Sequence, residues 1–179
     1  EIMAGNPCIY LIGSLRNPEI PQIGDKLRAV GFDVFDDWFA AGPIADDSWQ
    51  EYEKGRGTHY KEALKGYAAK HVFEFDYHHL SRADIGLLVL PAGKSGHLEI
   101  GFLSGQGKPT YVLFKEEPDR WDVMYQFMED VYFNTEEMIN ELRSKHIGTG
   151  VSHASHLERV LGERAQRRED RTDAFGTVR

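Results

Sequence analysis

The chain has 179 residues, 41% of them hydrophobic and 28% charged, with a formal net charge of -8. Such a chain is long enough for one domain with a buried core. Its acidic balance excludes nucleic acid as the main partner, because a phosphate backbone needs a basic face. A small substrate stays open, since a local field can oppose the net charge. A single cysteine, Cys8, excludes an internal disulfide and a cysteine-built zinc site, and suits a reducing compartment. Cys8 sits in an apolar run and reads as inert core. No apolar stretch approaches the roughly 20 residues of a membrane span. The opening residues lack the basic and apolar regions of a signal peptide. The expectation is a cytoplasmic protein with no membrane partner.

Cys8–Gly13 (CIYLIG) is a compact apolar run and predicts the first strand. Ile20, Ile23, Leu27 and Val30 recur at helical spacing, and Gly31 follows as a stop. Phe32–Phe35 predicts a second strand. Residues 36–57 (DDWFAAGPIADDSWQEYEKGRG) read as a long irregular loop. Such loops are usually lids or binding segments. Its aromatics either pin it to the body or cover a flat ring; both readings stay open. Tyr60, Ala63, Leu64, Tyr67 and Ala68 predict an amphipathic helix. HVFEFDYHHLSRAD follows at 71–84 and leads to the next strand. His71, His78, His79 and His97 lie near one another in sequence, but their spacing builds no chelating pair and no HExxH motif is present. Asp76 and Asp84 each read as solvated or capping residues, with Asp76 the better candidate for a site.

Residues 83–114 (ADIGLLVLPAGKSGHLEIGFLSGQGKPTYVLF) organise the chain. Ile85–Leu90 predicts a buried parallel strand. Pro91, Gly93 and Gly96 punctuate a turn. A helix is expected from about His97 to Gly105 or Gly107, and Thr110–Phe114 forms the next strand. Glu99 then lies on the first turn of that helix, at the mouth of an open α/β sheet, where such folds bind ligands. A first-turn carboxylate ordinarily serves the helix dipole. Here Gly96 and Gly101 flank it, and GKSG at 93–96 brings N–H donors, a hydroxyl and a cation. This is not a P-loop, because Leu88 stands where that motif needs its first glycine. Trp121, Met124, Tyr125 and Met128 have helical spacing, and Thr135 predicts the N-cap of a helix to Lys145. Residues 1–146 form the domain. Residues 147–179 are a polar tail, partly helical around Leu157, Val160 and Leu161 or mobile.

YLIGS at 10–14 with Arg16, FDYHHLSRADIGLLVLP at 75–91 and GHLEIG at 96–101 occur in one order. Together they resemble the nucleoside 2-deoxyribosyltransferase family, including its relatives that hydrolyse nucleoside monophosphates. The likeness spans roughly residues 7–145. It implies a flavodoxin-like, doubly wound parallel sheet with helices on both faces. It also implies a carboxylate nucleophile, here Glu99, that attacks C1′ of a 2′-deoxyribonucleoside. Asp76 matches the family's base-side aspartate, which protonates the departing base. Tyr10 matches the tyrosine that holds the nucleophile, and its hydroxyl is expected to keep Glu99 ionised.

The resemblance sets Gly13, Ser14, Arg16, Ser95 and Gly96 around the sugar and its 5′ end. Gly93 stands where nucleoside-specific members have aspartate and nucleotide-acting members have serine. Arg16, Lys94 and Ser95 suit a phosphate. Asp122, in WDVM with Met124, matches a position that a neighbouring subunit contributes. A carboxylate there repels a phosphate and accepts a hydrogen bond from a free 5′-OH. The expected substrate is therefore a free nucleoside, with a nucleobase as acceptor. The expected assembly is a homodimer or higher homo-oligomer with Asp122 acting in trans. Asp36, Asp37 and Trp38 are the expected contacts to the base. No metal or organic cofactor is implied. The expected activity is N-deoxyribosyl transfer through a glycosyl-Glu99 intermediate, as in salvage of nucleosides. The alternatives are a nucleoside or 5′-monophosphate N-glycosidase and a non-catalytic nucleotide-sensing module on the same fold.

Overall fold

The structure, a computed structural model, describes residues 5–148. Strand β1 (Cys8–Ile12) leads to helix α1 (Ile20–Ala29) and strand β2 (Asp33–Phe35). A 3-10 turn (Asp37–Ala41) and helices α2 (Ala45–Gly55), α3 (Tyr60–Ala63) and α4 (Tyr67–Arg82) follow. Then come β3 (Ile85–Val89), α5 (Lys94–Gly105) and β4 (Thr110–Leu113). A second 3-10 turn (Val123–Phe127), β5 (Asp130–Tyr132) and α6 (Thr135–His146) complete the described chain. The five strands are parallel and run in the order β2-β1-β3-β4-β5. This is the flavodoxin-like order, and its direction reverses between β1 and β3. The expected fold class is the one found.

The period-2 alternation of strands divides the core into two layers. Ile9, Leu11, Ile85, Leu87, Val89, Tyr111 and Leu113 meet Ile20, Ile23 and Leu27 of α1 and Met138, Ile139 and Leu142 of α6. Tyr10, Ile12, Leu88 and Val112 face the other way, onto Leu80 of α4 and Ile100 and Leu103 of α5. Tyr10 thus belongs to the layer that carries Asp76 and Glu99. Gly31 ends α1 with φ of 106°, a left-handed turn that suits glycine. Among the described residues, no helix is long and apolar enough to cross a membrane.

Several expectations are corrected. Residues 36–57 are not an irregular loop, since they hold a 3-10 turn and the eleven-residue α2. That helix buries only Glu53 fully, with a short stripe of Ala45, Trp49 and Tyr52; Asp46 and Asp47 in its first turn and Lys54 in its last favour it as well. The helix expected over 60–68 is two helices, and the second runs on to Arg82. Helix α5 starts at Lys94 with Gly93 as N-cap, three residues before the expected start. Glu99 therefore lies on the second turn, where the dipole no longer explains it. The segment 121–132 gives a 3-10 turn and a fifth strand in place of a helix. Asn134, not Thr135, caps α6, its side chain accepting from Glu137 N–H at 3.0 Å. Cys8 is half-buried, and burial together with Asp33 and Asp84 pushes its thiol up to about 11. The expected tail helix around Leu157 lies outside the described residues.

Glycine at position 86 lets α5 lie close on β3. A methyl group there would come within 2.6 Å of Leu103 Cδ1, 2.9 Å of Ile100 Cδ1 and 3.3 Å of Thr110 Cγ2. Gly86→Ala is therefore expected to lower stability by about 1–3 kcal/mol through overpacking. Urea unfolding reads this directly, and an unchanged midpoint would refute this account of the α5–β3 contact.

Candidate active site

The carboxyl ends of β1 and β3 are the place to look, because there the strand order reverses. Tyr10 lies in β1, only 1% exposed. Its ring meets Phe35 of β2 at 5.1 Å between centroids. His79 of α4 stacks on Phe35 at 4.0 Å and 9°, and Phe75 closes on His79 at 4.9 Å. These contacts turn one face of α4 onto the sheet. Asp76 sits three residues before His79 and is half-buried at this layer.

Glu99 comes from the opposite helix. Gly96, one turn earlier on α5, is buried, and a Cβ there would press on Ile12, Ala92 and Leu88 at 3.1–3.2 Å. Its bare backbone lets the start of α5 settle against the ends of β1 and β3. Glu99 is thereby half-buried. Burial, followed by the nearby Asp76 charge, pushes its carboxyl up to about 7. Burial also raises Asp76. Burial first, then Glu99 and Asp76, drive the Tyr10 hydroxyl above its ordinary range, so it stays protonated. The three side chains therefore lie within electrostatic reach of one another. The expectation that Tyr10 would keep Glu99 ionised is corrected: burial and a second carboxylate outweigh the hydroxyl.

The remaining expected residues fall into groups. Trp38 lies in the first 3-10 turn and donates from Nε1 to Leu11 O at 2.7 Å, which fixes its indole beside the end of β1. Asp36 is ion-paired with Arg28 of α1, and Asp37 is exposed. Gly13 lies where a Cβ would strike Ile20 Cδ1 at 2.4 Å. Ser14 Oγ accepts from Arg16 N–H at 3.1 Å, shaping the loop after β1. The Arg16 guanidinium donates to Asp47 of α2 at 2.7 Å. Gly93, Lys94 and Ser95 are exposed at the start of α5. Asp122 accepts from Met124 N–H at 2.8 Å and so caps the second 3-10 turn, while the Met124 side chain is exposed. Tyr10, Asp76 and Glu99 converge, Trp38 borders the same strand end, and Asp36 is held away by Arg28.

Two contacts were not foreseen. One is the stack of Phe75 and His79 on Phe35, whose only sequence signal is the spacing of Phe75, Asp76 and His79 on α4. The other joins α5 to the second 3-10 turn: His97 bonds Gly93 O at 2.9 Å and Tyr125 Oη at 3.0 Å. Gly93 O can only accept, so Nδ1 carries the proton and Nε2 accepts from Tyr125. A hollow of about 680 Å³ opens beside this link, lined by Ala92, Gly93, Lys94, His97 and Leu98. It adjoins the first turn of α5, and Glu99 is not in its lining. Among the described residues, no three His, Cys, Asp or Glu side chains are grouped to hold a metal.

No protein-family model matches the sequence, and no curated protein matches it. Solved structures do. The chain is similar to the 2-deoxyribosyltransferase of Bacillus psychrosaccharolyticus, with a TM-score of 0.52 and 18% identity over 74% of this chain and 90% of that one. It is similar to a conserved protein of Enterococcus faecalis V583, with a TM-score of 0.54 and 14% identity over 79% and 99%. The CMP N-glycosidase of Clostridium botulinum matches with a TM-score of 0.46 and 15% identity over 75% and 97%. At these identities the first two likenesses are of fold.

The raised Glu99 carboxyl makes stability depend on pH with a definite sign. Its folded-state value, about 7, exceeds the ordinary 4.5, so the folded form holds the proton more tightly than the unfolded chain. Its contribution therefore turns unfavourable as pH rises from 4.5 through 7, at most by about 3 kcal/mol. Glu99→Gln should gain stability relative to the parent between pH 5 and pH 8. Thermal melts across that range measure it, and a parallel pH dependence in both proteins would contradict the burial of this carboxyl.

Proposed function

We propose that this chain is an N-deoxyribosyltransferase acting on 2′-deoxyribonucleosides through Glu99. The observation that supports the reading is the meeting of two half-buried carboxylates, Glu99 and Asp76, beside the protonated Tyr10 at the switch point of the sheet. The reading also draws on the motif resemblance of YLIGS, FDYHHLSRADIGLLVLP and GHLEIG.

Cleaving an N-glycosidic bond at neutral pH needs a nucleophile for the anomeric carbon and a proton for the departing nitrogen. In the proposed step, a Glu99 oxygen bonds C1′ while the C1′–N bond breaks and its electrons go to the base. Asp76 gives that base its proton. The sugar is left as an ester on Glu99. A second base then attacks C1′, the ester bond breaks, and the incoming base returns a proton to Asp76. Both transition states have the oxocarbenium character of retaining glycoside hydrolysis. The Tyr10 hydroxyl donates to the developing or regenerated carboxylate.

The site then works with one proton shared by two carboxylates. In the free protein that proton favours Glu99, whose value is about 7. The productive arrangement places it on Asp76. The working unit is proposed as a homodimer: Trp121, Val123 and Met124, exposed around Asp122, suit burial against a second copy. Asp122 would then reach the partner's site.

Incubation with a deoxynucleoside and a second free base should yield the new nucleoside. Free sugar as the only product would replace the transferase reading with that of an N-glycosidase. Glu99→Ala should lower turnover at least about 1,000-fold with the fold intact by circular dichroism. Near-parental rates would remove Glu99 as nucleophile.

The pH profile offers a second check. Above about 7 both carboxylates are ionised and no proton remains for the leaving base. The kcat/KM is therefore expected to fall about tenfold per pH unit on the alkaline side of neutrality. A rate that rises steadily through pH 9 would contradict the shared-proton mechanism.

A further inference from the structure

Arg16 follows the turn made by Gly13 and Ser14, at the carboxyl end of β1. It carries the one guanidinium of the loop between β1 and α1. In the structure it is already engaged: its Nη2 donates to Asp47 Oδ2 at 2.7 Å. Asp47 belongs to the first turn of α2, a helix that buries only Glu53. It is not among the helices packed broadly on the sheet. Both side chains of the pair are more than half exposed, so a ligand can reach either. The ordinary role of Asp47 is to serve the α2 dipole, and Asp46 beside it does that equally well. Dipole service does not account for the contact across 31 residues to the site loop.

We propose that Asp47 is a specificity-determining residue, which occupies the Arg16 guanidinium and sets the site against substrates bearing a 5′-phosphate. This rests on the reading of Glu99 as the centre of nucleoside chemistry. A phosphate arriving at the loop after β1 meets a neutralised ion pair instead of a free cation. To bind Arg16 it must first displace Asp47 from the guanidinium, and that exchange takes away part of what the contact gains. A free 5′-hydroxyl is uncharged and faces no such exchange. Lys94 and Ser95 at the start of α5 are the same in every variant compared, so they do not contribute to the change that Asp47 makes. An exposed ion pair is weak, so the result is a bias in preference and not an absolute barrier.

The test uses four proteins: the parent, Asp47→Asn, Arg16→Ala and the double variant. Each is assayed for kcat/KM on a 2′-deoxynucleoside and on its 5′-monophosphate. Asp47→Asn should raise the monophosphate-to-nucleoside ratio roughly two- to fivefold. The same substitution should leave the ratio unmoved when Arg16 is already alanine. A gain that survives in the Arg16→Ala background means that Asp47 acts by its own charge, which overturns the proposal. An unchanged ratio in Asp47→Asn overturns it as well.

The same four proteins, each also carrying Glu99→Ala, are titrated with the 5′-monophosphate by calorimetry. Its affinity should rise by a similar factor in Asp47→Asn and only when Arg16 is present. Absence of turnover in the parent would count against glycosyl transfer alone, while calorimetry still decides the role of Asp47. Monophosphate affinity that is undetectable in every variant, or equal in all of them, overturns the proposal.

Discussion

One carboxylate held out of water beside another is the constraint on which the rest of this molecule turns. An isolated buried charge is so unfavourable that the group takes up a proton instead. Glu99 follows that rule, since burial leads the causes of its raised pKa and Asp76 follows. The fold creates the situation by bringing two helices down on one layer of the sheet. Helix α5 reaches β1 and β3 because Gly86 and Gly96 leave no side chains between them. Helix α4 reaches β1 and β2 because Phe75 and His79 pack on Phe35. Tyr10 fills the space where the two meet.

The same packing explains the character of the site's surroundings. Tyr10, Phe35, His79 and Phe75 form a continuous run of rings from the sheet to α4. Trp38 adds an indole, pinned by its bond to Leu11 O. Such rings exclude water and strengthen the mutual effect of the carboxylates. Structure and acidity here share one cause.

The sequence made part of this legible. Strands β1, β3 and β4 are short apolar runs between turn residues, and α1 has a clear stripe from Ile20 to Leu27 that stops at Gly31. Those four elements suffice to imply a parallel sheet and its switch point. Glu99 stands out by its neighbours, but its place on the helix is not legible: Gly96 reads as a turn residue and is a packing residue inside α5. Helix α2 was hard to read because its stripe is short, only Ala45, Trp49 and Tyr52, and lies in a stretch punctuated by Gly42, Pro43 and Gly57; its other signals are acidic first-turn residues and a terminal lysine. Strand β5 was illegible because three residues give no alternation to count, and Val123–Phe127 before it imitates a helix. The Arg16–Asp47 and Arg28–Asp36 pairs join residues whose partnership depends on how the helices settle, which no local pattern encodes. The Phe35–His79 stack is of the same kind.

The ionic contacts of the described chain are distributed in a way that completes the argument. Lys26 pairs with Glu136, Arg28 with Asp25 and Asp36, and Lys145 with Asp130 and Glu141, all at the periphery. No cation is among the groups that shift Glu99 or Asp76. A lysine or arginine beside them would hold both carboxylates ionised and leave no proton to donate. With none, the counterion of the pair is the proton itself. In the proposed reaction that proton leaves with one base and returns with the next. The arrangement costs stability above neutrality, which is the usual sign of a site shaped for chemistry at the expense of packing. Peripheral pairs such as Arg16–Asp47 lie in higher dielectric and are not among the groups that shift Glu99 or Asp76.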